Sequence, residues 1–501
     1  MRSVPLIPPD GVFSLPAVLY HVPVSRSYDL AIVNGTLVGA GRQFKATIAV
    51  RDGKIADFYG TGDALDAARV IDAKGLHVLP GIIDPHVHTR YPGVDQRETF
   101  ASGTAAAAAG GVTTLFEMPI SKVPTNAAAS LLKRLGLMAP HAYIDYALYG
   151  GAGRDNVETI VEQAEAGAIA FKTFLQPPPA GREDEFQGLW CRHDEVRSVM
   201  DAVRLTGLRH CFHCEEPGMY EPLRARLEAQ GRTRGRAHAD SRPEACEEAS
   251  VAVVLGRAAE RPLPVGIVHC SSVRSANLAF DARRRGLNVT VEVCTPYLFF
   301  TADALDRLGP YAKCNPPLRS AETRDELWHG IGSGLVEYLG TDHSPFTRED
   351  KERFGDDIFK APPGIAGLEL FVPLMLTGVH ERKITLPQLV AVCSENPAYV
   401  FRLPNKGRMV TGTDADFTLV DLKKRWRFDA SQAHTRARDN MKLWDGFALT
   451  GAVHMTMVRG GVVFQEGEIV GPPGHGRFQR PAISPEGGRP IEGALWGAGP
   501  L

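Results

Sequence analysis

The sequence lacks an excess of charge of either sign. Its 501 residues include 56 Lys and Arg against 58 Asp and Glu, which gives a formal net charge of −2. A protein that grips a nucleic-acid backbone or an anionic membrane needs a basic excess. Long apolar runs are missing too, since no stretch approaches the roughly 20 apolar residues that span a bilayer. We therefore expect neither nucleic acid nor a membrane as a partner.

Cysteine is sparse, and a secretory leader is not evident. The eight cysteines are spread thinly, unlike the disulfide framework of a small secreted protein. Cys211 and Cys214 form a CxxC pair, but no second pair completes a zinc ribbon. Prolines near the N-terminus interrupt it before an apolar signal region could form. We expect buried thiols and a cytoplasmic protein.

The sequence is rich in short apolar runs that alternate with amphipathic stretches. Eight runs predict buried strands, at 78–84, 112–118, 143–148, 168–174, 209–213, 265–269, 289–293 and 336–340. Helical periodicity marks segments between them, among them 195–205, 244–259 and 273–285. Eight strands separated by helices are the count of a (β/α)8 barrel, so we predict an α/β fold with such a barrel over residues 78–404.

Both flanks of the predicted barrel have β patterns. Apolar runs at 30–33 and 47–50 are followed by Asn34-Gly35 and Asp52-Gly53, dipeptides typical of hairpin turns. Strand-like runs return at 415–421 and 455–464. We predict that residues 27–77 and 405–470 together form one small β-sandwich. Residues 1–26 and 471–501 are rich in Pro and Gly and are predicted to be extended arms.

Six residues of metal-ligand type fall at the ends of predicted strands. His86 and His88 are two positions apart after the first strand, so an extended backbone points both the same way. Four others end later strands, namely Lys172, His213, His269 and Asp342. Each alone is more often structural than functional. Because the C-terminal strand ends of a barrel meet at one face, the six together predict a metal site.

The chemistry of such a site would be metal-assisted hydrolysis. Lys172 lies in an apolar run, where an unpaired ammonium is costly and the amine becomes nucleophilic. It could add carbon dioxide to form a carbamate that bridges two cations. Two divalent ions lower the pKa of a bridging water and polarise a scissile carbonyl. Asp342 would then accept the water's proton and pass it to the leaving nitrogen, while His343 stays unassigned.

The motifs resemble the amidohydrolase superfamily, in the cyclic amidohydrolase branch of dihydroorotases, allantoinases and hydantoinases/dihydropyrimidinases. The resemblance extends from residue 28 to about residue 470 and is carried by Pro80-Gly-Ile-Ile-Asp-Pro-His-Val-His88, Ala106-Ala-Ala-Ala-Gly-Gly-Val-Thr-Thr114, Phe171-Lys-Thr-Phe174, His213-Cys-Glu-Glu216, His269-Cys-Ser-Ser272, Thr341-Asp-His-Ser-Pro345 and Gly412-Thr-Asp-Ala-Asp-Phe417. It implies a TIM-like barrel, a β-sandwich made from both chain ends, and a homodimer or homotetramer.

The resemblance also implies a binuclear site, usually zinc, bridged by a carboxylated lysine. One metal would be bound by His86, His88, Lys172 and Asp342, and the other by Lys172, His213 and His269. Relatives that serve as non-catalytic assembly scaffolds lose metal ligands, whereas all six are present here.

The signals for the substrate conflict. Arg90 and Asn315 resemble dihydroorotases, where that arginine holds a substrate carboxylate. Ile120 after Met118-Pro119 resembles allantoinases instead, and Ser241-Arg-Pro243 resembles allantoinases and hydantoinases. The segment Leu175-Gln-Pro-Pro-Pro179 replaces the tyrosine that follows the lysine in hydantoinases.

Structural alternatives stay open for each of these substrate residues. Arg90 could form an ion pair with Asp95 or Glu98, and Asn315 could cap the turn before Pro316. Residues 364–368 could form a mobile loop over the site or the start of a helix.

The sequence thus predicts an enzyme that opens a cyclic amide ring, a ureide, imide or lactam, at a C–N bond. An allantoinase or hydantoinase-like hydrolase is the first interpretation. A dihydroorotase that holds a carboxylated ring with Arg90, with or without a partner transcarbamoylase, is the alternative. A scaffold without activity is the third.

Overall fold

A computed structural model describes residues 28–63, 65–179 and 181–482. The arm predicted over 1–26 and residues 483–501 of the second arm lie outside the described residues. No helix within the described ranges is long and apolar enough to cross a bilayer. All eight cysteines are buried and free of disulfides, as predicted.

The described residues form twenty strands and sixteen α-helices. The strands are β1 (Tyr28–Val33), β2 (Thr36–Val38), β3 (Gln43–Lys45), β4 (Thr47–Arg51), β5 (Lys54–Tyr59), β6 (Ala67–Asp72), β7 (His77–Pro80), β8 (Ile82–Val87), β9 (Val112–Glu117), β10 (Asp145–Leu148), β11 (Gly150–Gly151), β12 (Phe171–Phe174), β13 (His210–His213), β14 (Val265–Ile267), β15 (Val289–Cys294), β16 (Tyr338–Gly340), β17 (Phe417–Arg427), β18 (Ala448–Val458), β19 (Gly461–Gln465) and β20 (Glu468–Ile469). The helices are α1 (Phe100–Ala109), α2 (Ala128–Met138), α3 (Ile160–Ala166), α4 (Glu183–Phe186), α5 (Val196–Thr206), α6 (Pro217–Ala229), α7 (Ala237–Ser241), α8 (Glu244–Glu260), α9 (Val273–Arg284), α10 (Thr295–Phe299), α11 (Asp303–Leu308), α12 (Ala321–Ser333), α13 (Arg348–Glu352), α14 (Phe371–His380), α15 (Leu386–Val390) and α16 (Asn396–Val400).

The predicted eight-stranded parallel barrel is confirmed. Its strands follow one another in chain order from β8 to β16, with β10 and β11 as successive parts of the third strand. The barrel closes where Val87, at the end of β8, bridges His343 just beyond β16. The amide of His88 donates to the His343 carbonyl there, at 2.8 Å. The helices predicted over 195–205, 244–259 and 273–285 also form, as α5, α8 and α9.

The single strand predicted over 78–84 is wrong, because the chain divides at Gly81. β7 pairs antiparallel with β17 of the sandwich, and β8 begins the barrel. A Cβ on Gly81 would lie 2.4 Å from Thr113 Oγ1 and 2.6 Å from Asp416 Cβ. One continuous apolar run therefore serves two sheets, and glycine permits the close approach at their junction.

The predicted sandwich from both chain ends is confirmed. Its larger sheet has the order β20-β19-β18-β17-β7-β2-β3, so strands of the C-terminal region continue into strands of the N-terminal region. Its smaller sheet has the order β5-β4-β1-β6. The two sheets enclose a common apolar core that includes Leu30, Ile32, Ile48, Val78, Phe417, Leu419 and Met457.

One of the two predicted hairpin turns forms. Asp52 and Gly53 join β4 and β5 with φ of 53° and 72°, and Arg51 faces Lys54 across the hairpin. The hairpin predicted at Asn34-Gly35 is wrong, because β1 lies in the smaller sheet and β2 in the larger one. At this point the chain passes from the smaller sheet to the larger one, and residues before and after the crossing are buried.

An ion-pair cluster joins the sandwich to the barrel. The Lys406 ammonium lies 2.7 Å from Asp416 and 2.9 Å from Asp414, and it also binds Asp145 of β10. The described end of the chain packs beside it, where the amide of Gln479 donates to the Tyr146 carbonyl at 2.7 Å. Lys406 lies at the centre of these acids and pairs with their charges, so no metal is needed to explain why they lie together.

We expect Gly81→Ala to lower the free energy of unfolding by about 1–3 kcal/mol, because the methyl group overpacks the junction of β7 and β8. Chemical denaturation measures the change. Gly41→Ala is the matched control, since nothing lies within 4 Å of a Cβ built there. Equal stability of the two variants would contradict the close packing at Gly81.

Candidate active site

The structure brings the six predicted ligand residues together at the C-terminal face of the barrel. They extend from five strands: β8 carries His86 and leads to His88, β12 carries Lys172, and β13 ends at His213. The remaining two follow β14 and β16, and they are His269 and Asp342. Five of the six are at most 5% exposed, and the Asp342 side chain is 17% exposed.

His86, His88 and Asp342 form the first group. Asp342 Oδ1 lies 3.4 Å from His86 Nε2 and 3.2 Å from His88 Nε2. His86 Nε2 is buried and has no hydrogen-bond partner within the described part of the chain. A lone pair that is turned inward beside a second imidazole and a carboxylate fits one cation with nitrogen and oxygen ligands.

Lys172, His213 and His269 form the second group. His269 Nε2 lies 3.3 Å from Lys172 Nζ and 3.1 Å from His213 Nδ1. The rings of His86 and His269 are 5.2 Å apart between centroids, so the two groups adjoin. Lys172 is fully buried, and burial lowers the pKa of its amine, against the opposing effects of Glu292 and Asp342.

Glu292 was not singled out from the sequence, although it holds both groups. Its Oε1 accepts hydrogen bonds from His86 Nδ1 at 2.6 Å and from the His269 amide at 3.0 Å. Burial raises the pKa of this carboxyl, but His86 and Lys172 outweigh it and leave the pKa below its ordinary value. The sequence signal that could have identified Glu292 is the presence of an acid inside the apolar strand β15.

Other buried carboxylates fix the backbone and rings around the site. Asp84 accepts from the amides of His86 and Thr341, both at 3.1 Å, and thereby joins the first barrel strand to the last. Glu215 lies 2.9 Å from His213 Nε2, which leaves Nδ1 turned toward His269. Such partners set the orientation of imidazole ligands in metal sites.

Three site residues have backbone conformations that are uncommon for residues other than glycine. Arg90, His269 and Asp342 have φ of 58°, 40° and 48°. Strained conformations of this kind persist where surrounding contacts hold them, and they concentrate at functional sites. Here the Glu117 carboxylate holds the Arg90 amide at 3.1 Å, as Glu292 holds that of His269.

Arg90 pairs with neither Asp95 nor Glu98, so that alternative is wrong. Its Nη1 donates to Glu185 Oε2 at 2.9 Å and its Nη2 donates to Ser344 Oγ at 2.7 Å. Burial lowers the pKa of Arg90 to about 9.

His343 contacts residues outside the two ligand groups, and its Nε2 lies 3.4 Å from Glu98 Oε2. Its Nδ1 accepts from the amides of Gly367 and Leu368, at 3.2 and 3.3 Å.

Asp342 lies at a small cleft on this face of the barrel. The cleft is lined by Asp342 together with Cys294, Pro296, Tyr297, Cys314 and Ile365. Asn315 follows Cys314, and its Oδ1 is buried without a hydrogen-bond partner among the described residues. Residues 364–368 lead into the 3₁₀ turn Leu368–Leu370 before α14, and Ile365 is the member of this segment that lines the cleft.

Comparisons with known proteins agree with this geometry. Residues 77–463 match the amidohydrolase family. The chain is 35% identical over 460 residues to an allantoinase of Solibacter usitatus, covering 90% of this chain and 97% of that one. It is 33% identical over 451 residues to a dihydroorotase of Methanothermobacter thermautotrophicus, covering 90% and 97%. The solved structure of an L-hydantoinase (dihydropyrimidinase) from Arthrobacter aurescens superposes with a TM-score of 0.86 at 33% identity, covering 90% of this chain and 99% of that one.

Members of this family depend on metal ions, and this chain carries clusters of ligand-type residues on the barrel. The chain belongs to the amidohydrolase family.

Proposed function

We propose that this chain is a metal-dependent hydrolase that opens a cyclic amide ring at a C–N bond, in the manner of allantoinases and hydantoinases. The observation that carries the proposal is the junction of two ligand groups at one barrel face, where His269 Nε2 lies within 3.3 Å of Lys172 Nζ and Asp342 Oδ1 lies within 3.4 Å of two histidines. An assembly scaffold would have no need of such a site.

Two divalent ions, zinc by the chemistry of the donors, fit these residues. His86, His88, Lys172 and Asp342 would hold one ion, and Lys172, His213 and His269 would hold the other. Imidazole and carboxylate donors suit zinc. The unpartnered His86 Nε2 supports the first ion. A carbamate on Lys172, formed with carbon dioxide, would supply oxygen ligands beside His269, which the bare amine meets at 3.3 Å.

The chain's own residues then divide the work of hydrolysis. When bound, the two ions activate a water and polarise the scissile carbonyl. Asp342 receives the proton of that water at its carboxylate and delivers it to the departing ring nitrogen, which general acid–base catalysis requires within hydrogen-bond reach. Its side chain faces the cleft and is the exposed member of the ligand set, which supports this role.

Arg90 and Asn315 are the residues proposed to bind the substrate. Asn315 Oδ1, which has no hydrogen-bond partner among the described residues, offers an acceptor for a ring N–H. A dihydroorotase is the second candidate, favoured by the dihydroorotase among the relatives. The product of either activity is an N-carbamoyl acid or another ring-opened acid. We also propose a cytoplasmic homodimer or homotetramer, and the eight free thiols support a reducing compartment.

Substrate assays test the proposal directly. We expect the zinc-loaded chain to open at least one ring among allantoin, hydantoin, dihydrouracil, dihydroorotate and simple imides. Asp342→Asn should lower kcat by about 10²–10⁴-fold, because it removes the proton carrier. Asp281→Asn, on the exposed side of α9, is the matched control and should keep the wild-type rate. Wild-type turnover by Asp342→Asn would refute the mechanism.

The role of Glu292 can be tested without an activity assay. We expect Glu292→Gln to weaken zinc binding by about 10–100-fold, because the partner that orients His86 and His269 loses its charge. Competition with a chromophoric chelator measures the affinity. Glu326→Gln, an exposed change on α12, should leave it unaltered. An unchanged affinity in Glu292→Gln would show that the ligands need no such support.

The carbamate has its own readout. Protein loaded with zinc in ¹³C-bicarbonate should show one protein-bound carbamate carbon by NMR, and Lys172→Gln should not. Lys351→Gln is the control, because Lys351 is equally buried but its Nζ donates to the carbonyls of Pro310, Pro362 and Gly364. A signal that survives Lys172→Gln would place the carbamate on another residue, and the absence of a signal in the wild type would exclude it.

A further inference from the structure

Three arginines converge on the carboxylate of Glu185 beside the proposed substrate site. Glu185 Oε2 lies 2.9 Å from Arg90 Nη1 and 2.8 Å from Arg182 Nη2, and Oε1 lies 3.1 Å from Arg97 Nη1. The guanidinium groups of Arg90, Arg182 and Arg97 also lie against one buried ring, that of Phe346, at 5.1, 5.6 and 4.9 Å from its centroid. Four charged groups are thus packed into a nearly dry space.

The barrel positions Glu185 through an apolar contact. Glu185 lies on the short helix α4, in the loop that follows β12 and Lys172. The next residue, Phe186, packs its ring on Phe174 at 4.9 Å between centroids, within a small core shared with Ile120 and Leu189. The packing of Phe186 on Phe174 therefore holds the Glu185 carboxylate beside Arg90.

Glu185 uses the part of Arg90 that would bind a ligand carboxylate. A guanidinium recognises a carboxylate by two parallel N–H donors. In Arg90, Nη1 donates to Glu185 and Nη2 to Ser344 Oγ, and only the buried Nε lacks a partner among the described residues. Glu185 is 2% exposed, and Arg90 and Arg182 keep it ionised by lowering its pKa well below the ordinary value, against the effect of burial.

We infer that Glu185 selects the charge class of the substrate, so that the site takes uncharged cyclic amides and rejects rings that carry a carboxylate. This inference rests on the proposed function. A carboxylated ring could reach Arg90 only by displacing Glu185 from a buried ion pair, which leaves a buried charge without its partner. A built-in repulsive element of this kind is a common source of specificity.

Removal of the Glu185 charge should convert the cluster into an anion site. Of the acids near Arg90, Arg97 and Arg182, Asp350 pairs with Arg97 at 2.9 Å and Asp342 interacts with Arg90, so three guanidinium groups would exceed two carboxylates. The excess of positive charge lies close to the site, since both Arg90 and Arg182 depress the pKa of His88, after the larger effect of burial.

Dihydrouracil and dihydroorotate test the inference, because they share a ring and differ by one carboxylate. Calorimetry on the zinc-loaded protein gives both dissociation constants. We expect wild type to favour dihydrouracil, and Glu185→Gln to shift the ratio toward dihydroorotate by about tenfold or more, about 1.4 kcal/mol. Glu183→Gln, exposed on the same helix, should leave the ratio unchanged. Adding Arg90→Gln to Glu185→Gln should abolish the shift.

Three results would overturn the inference: a wild-type preference for dihydroorotate, an unchanged ratio in Glu185→Gln, or a shift that persists without Arg90. If Glu185→Gln does not fold by circular dichroism, Glu185→Ala gives the same test, since it also removes the carboxylate from Arg90. Binding is measured apart from turnover. Failure of the zinc-loaded wild type to open any ring therefore rejects the proposed function, whereas an unchanged binding ratio rejects the selection by Glu185.

Discussion

The carboxylate of Glu292 is the interaction on which the candidate site depends. One oxygen holds His86 Nδ1 and the His269 amide, so the seventh barrel strand fixes residues that extend from the first and the sixth. An imidazole that donates from Nδ1 turns its other nitrogen into an acceptor. The same contact supports the left-handed conformation of His269. A buried carboxylate needs such hydrogen-bond partners. In return, the Glu292 carboxylate keeps the imidazoles of His86 and His269 directed at one point.

The same arrangement recurs around the barrel face. Asp84 joins the first and last strands through the Thr341 amide, next to Asp342. Glu247, from α8, accepts from the amides of Ser271 and Ser272 in the loop after His269, each at 3.2 Å. Each acid satisfies backbone donors that a strand leaves unpaired where it ends. The strands therefore supply ligand positions, and buried acids from neighbouring elements set the directions.

The sequence predicted what depends on local pattern and missed what depends on distant contacts. The HxH spacing and the apolar runs before Lys172, His213 and His269 located these residues at one barrel face, because alternation and strand ends are local properties. Gly81 could not be recognised as a junction, since its constraint comes from Thr113 and Asp416. Glu292 and Glu185 contact residues 206 and 95 positions away, and no periodicity encodes such pairs.

The residues proposed for hydrolysis and those proposed to select the substrate also differ in where they lie in the fold. The six proposed ligand residues lie on strands or directly after them, where the closed barrel restrains the backbone. Glu185 and Arg182 instead lie in the loop after β12, which docks through Phe186 and can change without altering a strand. Arg90 is positioned both by the barrel and by this loop, because Glu117 holds its backbone beside His88 while Glu185 holds its guanidinium. The same arginine can then serve opposite substrate preferences, because what it binds is decided by whether the loop supplies a carboxylate. An arginine at this position is thus insufficient evidence for a carboxylated substrate unless its guanidinium is also free.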